Sequence, residues 1–155
     1  MKETLRDRLI REEGLRLLPY QDTKGIWTIG VGHNIEADPF MIHELDVLKE
    51  RGITKDEAYG LLDKDIQDHT ATLLKALPWV GDLDWNRKSV IIDLCFNMGL
   101  GNESRGLLSF THTLPLLEAG KWEEAAEHLR ASKWYRDVGP HRADLLIKIL
   151  VTGDD

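Results

Sequence analysis

The stretch Leu15-Arg16-Leu17-Leu18-Pro19-Tyr20-Gln21-Asp22-Thr23-Lys24-Gly25-Ile26-Trp27-Thr28-Ile29-Gly30-Val31 decides how this chain is read. Two short runs, Leu15 to Tyr20 and Ile26 to Val31, flank Asp22-Thr23-Lys24-Gly25. Asp at the first turn position and Gly at the last suit a type I turn, so the stretch predicts a β-hairpin. Pro19 has no N–H to give a ladder and points to an edge strand. In the second strand, alternation sets Ile26, Thr28 and Gly30 on one face and Trp27, Ile29 and Val31 on the other. Gly25, Gly30 and Gly32 strip side chains from it, which lets a bulky ligand approach backbone.

Outward from the hairpin the chain reads as helix. Glu3 to Glu13 sets Leu5, Leu9 and Ile10 on one face, and Gly14 stops it. Thr54-Lys55-Asp56-Glu57 is a capping box, opening a long helix to about Leu77 that Pro78 ends. Asp84 caps a helix whose stretch from Val90 to Met98 is apolar except at Asp93 and Asn97, the mark of a buried central helix ended by Gly99 and Gly101. Further helices cover Thr111 to Ala119, Lys121 to Ala131, and Pro140 to Val151, the last with Pro in its first turn. The expected fold is therefore α+β and mostly helical. One domain spans residues 1–155, with a small hairpin lobe over about 14–53 and a connecting helix over 54–77. A helical lobe over 78–155, with 1–13, completes it, and a cleft is the expected ligand site.

Composition removes several classes of function. The 155 residues are 42% hydrophobic and 30% charged, an ordinary globular balance. Apolar runs fall far short of the roughly 20 residues that span a bilayer. No apolar segment follows Met1-Lys2-Glu3-Thr4-Leu5-Arg6-Asp7, so no secretory signal is expected. One cysteine, Cys95, excludes a disulfide scaffold, and inside a buried helix it is expected to be inert. Twenty Lys and Arg against 27 Asp and Glu leave a net charge of −7, the wrong sign for a nucleic-acid binder. The five tryptophans fit core, interface or sugar platforms equally; Trp122 and Trp134, at helical apolar positions, are expected in the core.

Three side chains around the hairpin have the chemistry for glycosidic cleavage. Glu13, in the last turn of its helix, faces the negative end of the macrodipole, which favours a protonated carboxyl and hence a general acid. A surface Glu is the bland alternative. Asp22 serves either as a turn-former or as a catalytic base, and Thr28 either as an ordinary strand residue or as the group that holds a water.

Glu12-Glu13-Gly14-Leu15-Arg16-Leu17, Tyr20-Gln21-Asp22-Thr23 and Trp27-Thr28-Ile29-Gly30-Val31-Gly32-His33 together resemble the phage-type lysozymes of glycoside hydrolase family 24. The resemblance continues in order through Ile53-Thr54-Lys55-Asp56-Glu57-Ala58, Phe96-Asn97-Met98-Gly99 and Lys121-Trp122-Glu123-Glu124-Ala125-Ala126. Ser132-Lys133-Trp134-Tyr135, Pro140-His141-Arg142-Ala143 and Thr152-Gly153 complete it. It implies a lysozyme-like two-lobed fold with Glu13 as proton donor, Asp22 as second carboxylate and Thr28 as placer of water. Asn34, Phe96, Thr113 and His128 match saccharide-contacting positions. Arg142 matches an arginine near the donor, while His33 and Asp65 match a structural ion pair.

The implied activity is hydrolysis, with inversion, of β-1,4 bonds between N-acetylmuramic acid and N-acetylglucosamine in bacterial peptidoglycan. No metal, cofactor, nucleic acid or membrane insertion is implied. The expected protein is a monomeric endolysin that waits in the host bacterial cytoplasm until a holin opens the way to periplasm and wall, lysing the host for phage release. A catalytically silent peptidoglycan-binding module and a chitinase-like enzyme are the alternatives.

Overall fold

The computed structural model describes residues 3–38 and 43–154. They fall into two compact units, Glu3–Gln67 and one that begins at Asp68.

In the first unit, α1 (Leu5–Glu13) begins where the Thr4 hydroxyl accepts the Asp7 amide at 3.0 Å. It ends at Gly14, whose N–H closes on the Ile10 carbonyl at 2.9 Å with φ 77°. A three-stranded antiparallel sheet follows, made of β1 (Arg16–Gln21), β2 (Trp27–Gly30) and β3 (His33–Asn34) in that order. β1, with Pro19, is an edge strand as its sequence predicts. Its pairing with β2 is irregular between Arg16 and Tyr20, the stretch in which Pro19 lacks a donor. Gly25 donates to the Asp22 carbonyl at 2.9 Å, closing the predicted turn.

Both faces of β2 are covered. Thr28 (5% exposed) and Ile29 (0%) point to opposite faces, yet both are covered. On one side Ile29 joins Leu48, Ile53 and Ala58 in a core flanked by Leu15, Ile35 and Leu61. Each such side chain stabilises the fold by about 1.5–3 kcal/mol through burial. Leu48 comes from α2 (Leu45–Arg51), a helix the sequence pattern does not mark. After α2 the backbone of Gly52 presses on β1: a Cβ there would stand 2.4 Å from the Leu17 carbonyl oxygen. That carbonyl accepts the Ile53 N–H at 2.9 Å.

Helix α3 (Lys55–Ala76) opens with the expected capping box: Glu57 N–H to the Thr54 hydroxyl and Thr54 N–H to the Glu57 carboxylate, both 3.1 Å. Arg6 on α1 reaches Asp63 on α3 at 2.9 Å, an exposed pair worth at most about 1 kcal/mol.

In the second unit, Pro78–Asp82 forms a 3-10 turn and α4 (Trp85–Met98) starts at the Asp84 cap. Ser89 to Cys95 are all buried. After a 3-10 turn at Leu107–Ser109 come α5 (Thr113–Glu118), α6 (Trp122–Arg130), α7 (Lys133–Val138) and α8 (Pro140–Thr152). Helix α6 packs on α5, α7 and α8, and α8 also on α4. Arg87 of α4 fastens the end of α8, donating to the Leu150 and Val151 carbonyls at 2.7 and 3.0 Å. Its guanidinium also lies 4.2 Å over the Trp122 ring, so Trp122 is a half-buried cation platform while Trp134 is core. Among the described residues no helix is long and apolar enough to cross a membrane.

Candidate active site

The turn between β1 and β2 is built around Asp22. Its Oδ1 accepts two backbone N–H groups, Lys24 at 2.8 Å and Ile26 at 2.9 Å, which fix the carboxyl's direction. Among the described residues Oδ2 accepts no hydrogen bond. The Ile26 carbonyl in turn accepts the Asp22 N–H at 2.9 Å and the Thr28 hydroxyl at 2.9 Å. One peptide residue, Ile26, therefore holds both side chains. Because the Thr28 hydroxyl spends its proton on Ile26, its oxygen is left to act as an acceptor.

Glu13 is the last, half-buried residue of α1, and the turn at Gly14 carries the chain straight into β1. Tyr20 on β1 senses both carboxylates. Burial raises its phenol above the ordinary range, the charges of Glu13 and Asp22 push the same way, and Arg16 opposes them. The Arg16 guanidinium stands 4.5 Å over the Tyr20 ring. Glu13 and Asp22 are thus both within electrostatic reach of one hydroxyl.

His33 pairs with Asp65 as the family resemblance implies, Nδ1 to Oδ2 at 2.6 Å. A second carboxylate, Asp38, meets Nε2 at 2.5 Å. The three side chains are 4%, 17% and 3% exposed for His33, Asp65 and Asp38. Burial opposes the imidazolium, but hydrogen bonds and charge from Asp65 and then Asp38 outweigh it, so His33 titrates above its ordinary 6.5. Only the imidazolium donates from both nitrogens. Sequence reasoning missed Asp38; five positions after His33, it carries no motif of its own.

The four matched saccharide positions are distributed over both units. Asn34 stands opposite Thr28 in the sheet and caps the Ala37 amide at 3.1 Å. Phe96 of α4 is tilted against His69, centroids 5.3 Å apart. Thr113 is buried at the start of α5. His128 of α6 is exposed and stacks on His112 at 6.5 Å. Arg142 of α8 reaches the wholly buried Asp93 of α4 at 3.4 Å, which explains a carboxylate inside the apolar stretch of that helix. Cys95 is buried, and burial pushes its thiol up to about 11, consistent with an inert side chain.

Comparison with known proteins gives the chain a family. The phage lysozyme family model matches residues 10–148. A probable T4-type lysozyme of Dictyostelium discoideum is 32% identical over 99% of this chain and 96% of its own length. The pre-baseplate central spike protein Gp5 of Enterobacteria phage T4 is 31% identical over 97% of this chain, which corresponds to 28% of that protein. The endolysin of Salmonella phage P22 is 36% identical over 59% of this chain and 58% of its own. The chain belongs to the phage lysozyme family, and with it to the glycoside hydrolases.

Proposed function

We propose that this protein is a muramidase that hydrolyses the β-1,4 bond between N-acetylmuramic acid and N-acetylglucosamine in peptidoglycan. The observation that carries this reading is the shared anchorage of Asp22 and Thr28 on Ile26, which leaves two acceptors, Asp22 Oδ2 and Thr28 Oγ1, without donors of their own. A water that donates one O–H to each keeps a lone pair for the anomeric carbon. As that oxygen bonds to carbon, the bond to the leaving oxygen breaks and Glu13 protonates the leaving group. The proton lost by the water passes to Asp22. Attack by water opposite the leaving group inverts the anomeric centre, a geometry that calls for carboxyls about 6.5–9.5 Å apart.

The relatives named endolysin support a role in lysing a bacterial host at the end of phage infection. In that role the protein is a monomer that accumulates in the host cytoplasm and reaches the wall when a holin opens the inner membrane. Mass spectrometry of digests of purified peptidoglycan tests the bond assignment. Products ending in reducing N-acetylmuramic acid are expected, and Glu13→Gln should lose at least about a hundredfold in rate with an unchanged circular dichroism spectrum. Reducing N-acetylglucosamine ends, or near wild-type turnover by the variant, would contradict it.

A further inference from the structure

The second unit carries an open groove of about 520 Å³, lined by none of the candidate catalytic or saccharide positions. That volume lies within the range of small-molecule sites. Leu108, Leu114 and Pro115 supply apolar floor, and the half-buried Trp79 supplies an aromatic wall. Glu103 and Glu118 are exposed, and among the described residues neither carboxylate has a hydrogen-bond or ion-pair partner. Asn102 has its Oδ1 occupied by the Ser104 N–H at 2.8 Å, so its amide is left as a donor. The loop bearing Asn102 and Glu103 is preformed. Asn102 N–H closes on the Arg105 carbonyl at 2.9 Å, and Gly101, at φ 66°, approaches so closely that a Cβ would stand 2.0 Å from the Arg105 oxygen.

The complement of this lining is specific. Two unpaired carboxylates call for a ligand with several O–H or N–H donors and repel any anion. The Asn102 amide, with the Thr111 hydroxyl beside it in the lining, calls for a carbonyl. The flat indole calls for an apolar face. A neutral N-acetylhexosamine offers all three: ring hydroxyls, an acetamido carbonyl and an apolar face of C–H groups. We infer that this groove is an ancillary glycan-holding site that binds N-acetylglucosamine units and rejects muramic acid, whose O3 lactyl group carries an anionic or peptide extension. Its use on a glycan strand rests on the function proposed above; its chemistry does not.

The test is an NMR titration of the isotope-labelled full chain with the neutral β-1,4 trimer of N-acetylglucosamine. Saturable shifts are expected at the Trp79 indole N–H and at the backbone amides of 101–103, 111–114 and 116–118. They should vanish in Trp79→Ala. In the double variant Glu103→Gln, Glu118→Gln, which touches only exposed side chains, binding should weaken about tenfold. No shift in the groove with millimolar trimer, shifts that survive in both variants, or a response only to amine-bearing peptides would overturn the site. Groove shifts in a chain that fails to cleave peptidoglycan would uphold the groove and remove the muramidase reading. Cleavage with a silent groove would do the reverse.

Discussion

Asp22 and Thr28 are joined through a single residue: Ile26 gives its N–H to the Asp22 carboxylate, and its carbonyl takes the Thr28 hydroxyl proton. Neither side chain moves without disturbing the other's anchor. A carboxylate and a hydroxyl oxygen that must accept donors together suit a bound water better than direct attack by the carboxylate. In Thr28→Val the shape is kept and the acceptor is lost. The expected result is a fall in kcat of at least about tenfold with KM little changed, and rescue in Thr28→Ser. Steady-state kinetics on soluble muropeptides measures it. Equal activity in the valine and serine variants would mean that the hydroxyl does no work in the reaction.

His33 makes stability depend on pH with a definite sign. Its folded-state value is raised above the ordinary 6.5, so its contribution is complete below about pH 6.5 and is lost as pH climbs through the higher folded value. Urea midpoints should therefore fall between neutral and alkaline pH, and His33→Gln should flatten that part of the curve. A midpoint that rises over this range in wild type but not in the variant would reverse the sign.

Asp65 and Asp38 share the same imidazolium, so their removal should not be additive. Because Asp38 still compensates the imidazolium, Asp65→Asn is expected to cost about 1.5–3 kcal/mol in denaturant titration, the scale of a hydrogen bond to a charged group, while specific activity falls far less. Unchanged stability with collapsed activity would transfer Asp65 from the scaffold to the reaction.

Arg87 satisfies carbonyls that the last turn of α8 would otherwise leave open. Arg87→Met removes two charge-assisted hydrogen bonds and the cation over Trp122, and a loss of about 2–3 kcal/mol is expected. Arg87→Lys should recover only part of it, because an ammonium lacks the guanidinium's fork. Equal melting temperatures for all three proteins would contradict the latch.

What the sequence made legible was whatever is encoded within a few residues. Asp22 and Gly25 define their turn, Pro19 the edge strand, Thr54 with Glu57 the start of α3, and Asp84 the start of α4. Elements with weak local signals escaped. Helix α2 begins at Glu44 without a side-chain cap, β3 has two residues, and α7 has six, with Ser132 as its cap. Their stability comes from packing, as at Leu48 in the first core. The same distinction holds at the site. Glu13, Asp22 and Thr28 are visible as residue types at suggestive spacing, strengthened by family resemblance. The guanidinium over Trp122 and the partner of Asp93 arise only when distant segments meet, and the second carboxylate on His33, though five residues away, follows no recognisable motif.

The stereochemistry of the first product tests the site most directly. If a water held by Asp22 and Thr28 attacks while Glu13 protonates the leaving oxygen, each β-linked substrate releases an α-anomer. Proton NMR of fresh product, read before mutarotation, should show the α signal first and the β signal growing later. An initial β-anomer, or a glycosyl ester trapped on Asp22, would show that the carboxylate itself attacks carbon and that Thr28 has no water to place.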